Sequence, residues 1–211
     1  MTLNNISAMP VSPVRPRLLA SFADGKSAPS TRLHRRIHKA ACLIIGIQFH
    51  VAKTKISALI HACDNARSLG RALDSLRPCD EVIVVDHGSK DETVKVAREH
   101  GAKVMNAVPG VGRGAYAQNA GNQWILCLLP QEALAEELEA SLFEWSAAEQ
   151  DPNQMGFNMA VREQNGEGWK SLDAEMRLAN RKQINWTGDL PPANPKAPTL
   201  AGHILRIPEV E

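Results

Sequence analysis

Four places in the chain gather acids, amides, imidazoles or glycines at spacings that could do chemistry. Asp64-Asn65, in HACDNARS, sets an acid beside an amide, with His61 just upstream. Asp86-His87-Gly88-Ser89, in VIVVDHGSKDET, ends an apolar run with an acid, an imidazole and a turn. Gly110-Val111-Gly112-Arg113-Gly114 is a glycine-rich loop. Such bare backbone can approach a diphosphate, with Arg113 adding charge-assisted bonds, although a mobile loop with no ligand has the same composition. Pro130-Gln131-Glu132 places a single acid beyond the run Trp124-Ile125-Leu126-Cys127-Leu128-Leu129.

These residues need a scaffold, and the periodicities supply one. Ile56–Ile60 is an apolar run of strand length, and Leu69, Ala72, Leu73 and Leu76 fall on one helical face until Pro78 stops it. Glu81–Val85 is β-branched on both faces, as a central parallel strand should be. Ser89-Lys90-Asp91-Glu92 reads as a capping box opening a helix to about His100, with Gly101 as its stop. Ala102–Met105 reads as a third strand and Trp124–Leu129 as a further buried one. Pro130 is expected to open a long helix with Leu134, Leu138, Leu142 and Trp145 as its buried stripe. Phe157, Met159 and Val161 alternate as in a strand, short strands are expected at Met176–Leu178 and Ile184–Trp186, and Leu190–Pro198 is too rich in proline for either element. The strand–helix alternation predicts an α/β fold, a Rossmann-like, mostly parallel sheet flanked by helices. Ligands of such sheets collect beyond the carboxyl ends of the strands, which picks out Asp64 and Asn65, Asp86 to Ser89, and Pro130 to Glu132.

Composition narrows the function. The chain has 211 residues, 44% hydrophobic and 22% charged, which is globular and fits one domain with an appendage. The net charge of +1 hides an asymmetry. Residues 1–54 carry eight Lys/Arg against one acid, net +7, while the remainder has 16 basic and 22 acidic residues, net −6. Two regions follow: 1–54, a basic, mostly disordered extension, and 55–207, the folded domain. The extension also reads as a peripheral membrane contact, with Arg32, Arg35, Arg36 and Lys39 facing anionic lipid. Four cysteines without CxxC spacing exclude zinc-ribbon and thioredoxin types and read as reduced thiols of a cytoplasmic protein. Aromatic residues make up only 4%, which argues against an aromatic platform for nucleic acid. The turn after the first strand has no glycine, so neither the GxGxxG fingerprint nor the P-loop is present.

The combined order is more specific than its parts. ISALIHACDNARSLGRALDSL, then DEVIVVDHGSKDETVKVAREHGAKV, the glycine-arginine loop and NQWILCLL together resemble the nucleotide-sugar half of glycosyltransferase family 2, over about residues 55–145. DAEMRL is similar to the arginine-containing strand of lipopolysaccharide-core members. The resemblance implies a GT-A fold and inverting transfer from a nucleoside-diphosphate sugar to a cell-envelope glycan or glycolipid; the expected location is cytoplasmic, with peripheral contact at the inner membrane surface through the basic segment. It implies that Asp86 bonds the nucleobase or ribose, that Asp64 and Asn65 stand at the family's first polar pair, and that Gly88, Ser89, Gly112 and Arg113 border the nucleotide. Without such a ligand Asp86 is a strand-end acid capping a turn.

The pattern departs from the family where a metal should bind. The family's D-x-D falls on Leu128-Leu129-Pro130-Gln131-Glu132, where only Glu132 is anionic. Mg²⁺ or Mn²⁺ would offset the charge of the departing diphosphate, and Glu132 is the one ligand this motif still offers. Inverting transfer also needs a general base, for which Asp173 and Glu175 in SLDAEMRL are the candidates. His61 and His87 could face the strand-end crevice as well, as bases or as structural hydrogen-bonders. The expected function is therefore a family 2-like glycosyltransferase with a degenerate metal motif and impaired activity, or else a non-catalytic module that keeps the nucleotide-binding sheet.

Overall fold

The computed structural model describes residues 53–208. The basic segment of residues 1–54, apart from Lys53 and Thr54, lies outside the described residues, and with it the expected disorder and lipid contact. In chain order the elements are β1 (Ile56–Ala62), α1 (Ala66–Asp74), β2 (Glu81–Asp86), α2 (Thr93–Glu99), β3 (Lys103–Asn106), a 3-10 helix (Arg113–Asn119), β4 (Trp124–Leu128), β5 (Glu132–Leu134), α3 (Glu136–Ala147), β6 (Gly156–Asn165), β7 (Gly168–Asn180) and β8 (Thr199–Arg206).

The strands form one sheet in the order β3-β2-β1-β4-β7-β6-β8-β5. From β3 to β4 every pairing is parallel, as the βα alternation requires. Beyond β4 the sheet is mixed: β7 is antiparallel to β4 and β6, β8 runs parallel to β6, and β5 is antiparallel to β8. The sheet is thus a doubly covered α/β sheet whose parallel half matches the sequence reading.

Each face has its own apolar layer. One holds Ile56, Ala58, Ile60, Val84, Leu126 and Leu128 against Leu69, Leu73, Leu138 and Leu142 of the helices. The other holds Leu59, Ile83, Val85, Ile125 and Cys127 against Tyr116 and Ala117 of the 3-10 helix, and against Trp186 and Ala197 of the segment after β7. All seven residues of β1 are buried, and each fully buried Leu or Ile contributes roughly 1.5–3 kcal/mol. Trp124, Trp145 and Phe157 close the far end of the helical layer, with ring centroids 5.0 to 5.8 Å apart.

Four local expectations are corrected. Ser89 and Glu92 form no capping box: α2 starts at Thr93, and the Thr93 N–H is taken by Asp91 Oδ1 at 2.9 Å. An acid two residues ahead closes a tighter ring than the serine four ahead, and Ser89 Oγ instead accepts the Asp64 N–H at 3.0 Å. Pro130 opens a turn and not a helix, because Glu132–Leu134 pairs with β8 before α3 begins. Leu134 therefore belongs to a strand, while Leu138, Leu142 and Trp145 form the buried stripe of α3. Ile184–Trp186 is no strand, and Trp186 packs as a single side chain on the second core layer. Met176–Leu178 proves to be the buried end of the 13-residue β7.

Candidate functional site

The loops after β1 and β2 are stitched to each other at the carboxyl ends of their strands. Asp64 sits at φ 55, in the left-handed region that short polar side chains tolerate. Its Oδ1 accepts the N–H groups of Lys90 at 2.6 Å and Asp91 at 3.2 Å. The Asn65 N–H donates to Thr93 Oγ1 at 2.8 Å, and Asn65 Oδ1 accepts the Cys63 N–H at 2.8 Å. Asp91 returns the tie through Ala66 N–H at 2.9 Å. Desolvation opposes the Asp91 charge, but the bonds from Thr93 and Ala66 outweigh it and hold the carboxyl below its ordinary range.

Asp86 belongs to the same frame. It is 7% exposed, and its oxygens accept the N–H groups of Gly88 at 3.2 Å and Ser89 at 3.1 Å. Gly88, at φ 90, supplies a conformation that most L residues avoid. In the structure Asp86 caps its own turn through these two bonds. Asn65 lines the cavity beyond these strands, whereas Asp64, Asp86, Gly88 and Ser89 are not among its lining residues and hold the two loops together.

The cavity has a volume of about 310 Å³ and is lined among others by His61, Asn65, His87, Arg113, Gln131 and Asp189. His61 Nδ1 and His87 Nε2 are 2.9 Å apart, so one ring donates and the other accepts. Tyr116 packs edge-on against His61 at 5.7 Å. Burial, with help from His87 and Arg113 and against Asp189, pushes His61 down to about 4. Burial and Arg113 lower His87 as well. Both rings are neutral near pH 7, which suits hydrogen bonding better than charge neutralisation.

The charge at the cavity comes from two residues far apart in sequence. Arg113 opens the 3-10 helix, and its Nη1 lies 2.8 Å from each carboxylate oxygen of Asp189. The pair is half-exposed at the rim. Asp189 reaches it because the chain after β7 crosses the 3-10 helix at Gly114, where an added Cβ would lie 2.3 Å from the Trp186 carbonyl oxygen. Gly112 is close to the same segment but less tight, with an added Cβ 3.2 Å from the Thr187 carbonyl oxygen. The glycines of this loop therefore admit a crossing segment, a use their sequence did not reveal.

Glu132 has a different role from the metal ligand expected of it. It is completely buried, as is Arg177. Its two oxygens accept from Arg177 Nη1 at 2.6 Å, Arg177 Nη2 at 2.9 Å, Arg206 Nε at 2.9 Å and the Leu129 N–H at 2.9 Å. A carboxylate so occupied has no lone pair to spare for a cation. Leu129, Pro130 and Gln131 bring no carboxylate, and among the described residues no group of three or more His, Cys, Asp or Glu could hold a metal. The residues present do not fit Mg²⁺ or Mn²⁺.

The two candidate bases are also placed elsewhere. Asp173 is exposed on the outer part of β7, and Glu175 is bound to Arg177 Nη2 at 2.7 Å; neither lines the cavity. Asp189 is the acid that does, and sequence reasoning missed it. It lies just before the proline-rich stretch, where no periodicity marks a position. A larger hollow of about 470 Å³, bordered by Lys55, Glu149 and Asp151, lies near Trp124 at the amino ends of the parallel strands, the end where ligands of such sheets do not collect.

No family model matches the chain. Among curated proteins it is 40% identical over 89 residues to an uncharacterized glycosyltransferase of Rickettsia felis, covering 40% of this chain and 31% of that one. The relatives are glycosyltransferases by name. A second, from Rickettsia typhi, is 29% identical over 137 residues, covering 61% of this chain and 47% of the relative. The chain thus spans about a third to a half of the length of the curated relatives it matches. Among solved structures it is similar to glucosyl-3-phosphoglycerate synthase from Mycobacterium tuberculosis in complex with uridine diphosphate, at 19% identity and a TM-score of 0.37, over 53% of this chain and 44% of that one. S. aureus TarS is another, at 18% identity and a TM-score of 0.40, over 57% and 23% of the two chains.

Proposed function

We propose that this protein is glycosyltransferase-like and that the cavity beyond β1 and β2 takes a nucleoside-diphosphate sugar. The observation that carries the reading is the position of Arg113, delivered by a glycine-rich loop to a strand-end cavity that is also lined by neutral imidazoles, amides and the Asp189 carboxylate paired with it. A guanidinium there suits a diphosphate, and neutral His and Asn side chains suit the donors and acceptors of a base or sugar. The volume lies at the lower end of the range for small-molecule sites. Gly112 and Arg113 are the residues assigned to the diphosphate, with Asn65 beside them. The named relatives support the same class of chemistry.

In the enzyme reading the sugar passes to a glycan or glycolipid acceptor. A second reading, a nucleotide-binding module without transfer, draws on a specific observation: Glu132 and Glu175 are both bound by the buried Arg177, and Asp173 stands off the cavity. Both readings require nucleotide binding, so the test addresses that first. Titration calorimetry of the full chain with UDP and GDP is expected to give saturable heat with at least one. The bound nucleotide is expected to slow alkylation of Cys63, an exposed thiol on the cavity wall, followed by mass mapping of that peptide. If neither nucleotide binds and Cys63 alkylation is unchanged, both readings fall.

A further inference from the structure

A nucleoside diphosphate brings two or three negative charges to its site, and some cation must offset them. Among the described residues a divalent ion has no evident holder, because Glu132 is spent on Arg177 and Arg206, its neighbours Leu129, Pro130 and Gln131 are not anionic, and no group of three or more His, Cys, Asp or Glu could hold a metal. The cavity itself is formally neutral: its imidazoles are uncharged and Arg113 is cancelled by Asp189. A diphosphate entering that site as it stands would gain little Coulomb attraction.

The geometry of the ion pair points to where the charge comes from. Asp189 meets a single guanidinium nitrogen, Nη1, with both of its oxygens. The Nε and Nη2 groups of Arg113 have no partner among the described residues, so the planar two-nitrogen edge that matches a phosphate is unused. Both partners are substantially solvent-exposed, at 45% and 34%, and a pair of that kind is held weakly. Asp189 lies on an irregular segment outside the sheet strands.

We propose that the diphosphate of a nucleotide ligand is met by Arg113, released from Asp189, with no divalent cation taking part. Asp189 is then a competitor built into the chain, which keeps the site neutral until a better anion arrives. The inference rests on the nucleotide reading of the cavity and adds to it the source of the compensating charge.

The test is calorimetric titration of the full chain with UDP, in EDTA and again with MnCl₂, and then of single variants. Wild type is expected to bind UDP with affinities within about threefold of each other in the two buffers. Asp189→Asn removes the competing charge and is expected to bind UDP at least about threefold more tightly. Arg113→Ala is expected to lose about tenfold or more for UDP while leaving uridine binding unchanged, and Arg113→Lys to lose less. A loss of more than threefold in EDTA overturns the metal independence. Equal or weaker UDP binding by Asp189→Asn overturns the exchange. Absence of UDP and GDP binding by wild type in both buffers is a different result, which removes the nucleotide reading itself. Circular dichroism and urea midpoints establish that each variant is folded, and if Arg113→Ala is not, the buffer comparison and Asp189→Asn still decide the matter.

Discussion

Replacing Glu132 by Gln tests whether this carboxylate is a counter-ion or a free ligand. The change keeps shape and removes charge. In the wild type, Glu132 accepts three bonds from Arg177 and Arg206 and one from the Leu129 N–H, all at 2.6 to 2.9 Å. An amide would turn one acceptor into an N–H₂ donor facing guanidinium N–H groups. It would also leave Arg177, with no exposed surface, to Glu175 alone. Removing one member of a buried ion pair costs about 3–5 kcal/mol, because the remaining charge stays buried. For a domain of this size that corresponds to a melting temperature lower by roughly 6–20 °C. Urea unfolding followed by circular dichroism measures the loss. The double variant Glu132→Gln, Arg177→Met takes away both charges, leaving Arg206 and Glu175 within reach of solvent, and is expected to recover most of the stability. The two changes should therefore be strongly coupled in a double-mutant cycle. A loss below about 1 kcal/mol, or Mn²⁺ raising the wild-type melting temperature in a way that Glu132→Gln abolishes, would refute the counter-ion assignment.

Two further expectations concern the walls of the cavity. Because burial holds His61 at about 4, against 6.5 as its ordinary value, the unfolded chain takes up the proton that the folded one refuses. That contribution is complete above the ordinary value and is lost as the pH falls from about 6.5 to about 4, so urea midpoints measured across this interval should drop less in His61→Gln than in wild type; parallel curves would sink the argument. Gly114→Ala would drive a methyl group into the Trp186 carbonyl, only 2.3 Å away, and is expected to cost about 1–3 kcal/mol and to alter Trp186 fluorescence as the crossing segment lifts. An alanine variant with unchanged urea midpoint and emission would show that this contact is not tight.

The parallel half of the fold was legible because its signals are local. The β-branched Glu81–Val85 run, the i, i+3, i+4, i+7 stripe ending before Pro78 and the Gly101 stop each depend on residues within one turn or one pleat, and each found its place. The glycine loop was legible as a loop, and Arg113 as a cation on it. What failed depended on partners distant in sequence. Glu132–Leu134 became a strand because β8, some seventy residues on, pairs with it, and no periodicity in three residues can announce that. Ser89 lost its capping role to Asp91 because the neighbouring loop needed the hydroxyl.

By itself, the sequence determined that there would be an α/β sheet with acids, imidazoles and a glycine-arginine loop near its strand ends, since period and turn chemistry are written in adjacent residues. What surrounds those groups in space was set by segments that the fold brings together. The tertiary structure turned Asp86 inward to its own turn, buried Glu132 between two arginines, and brought Asp189 across 76 positions to Arg113. Charge is assigned by what surrounds a carboxylate in space, and for these three acids the decisive neighbour is either a backbone N–H in a particular turn or an arginine from another strand or loop.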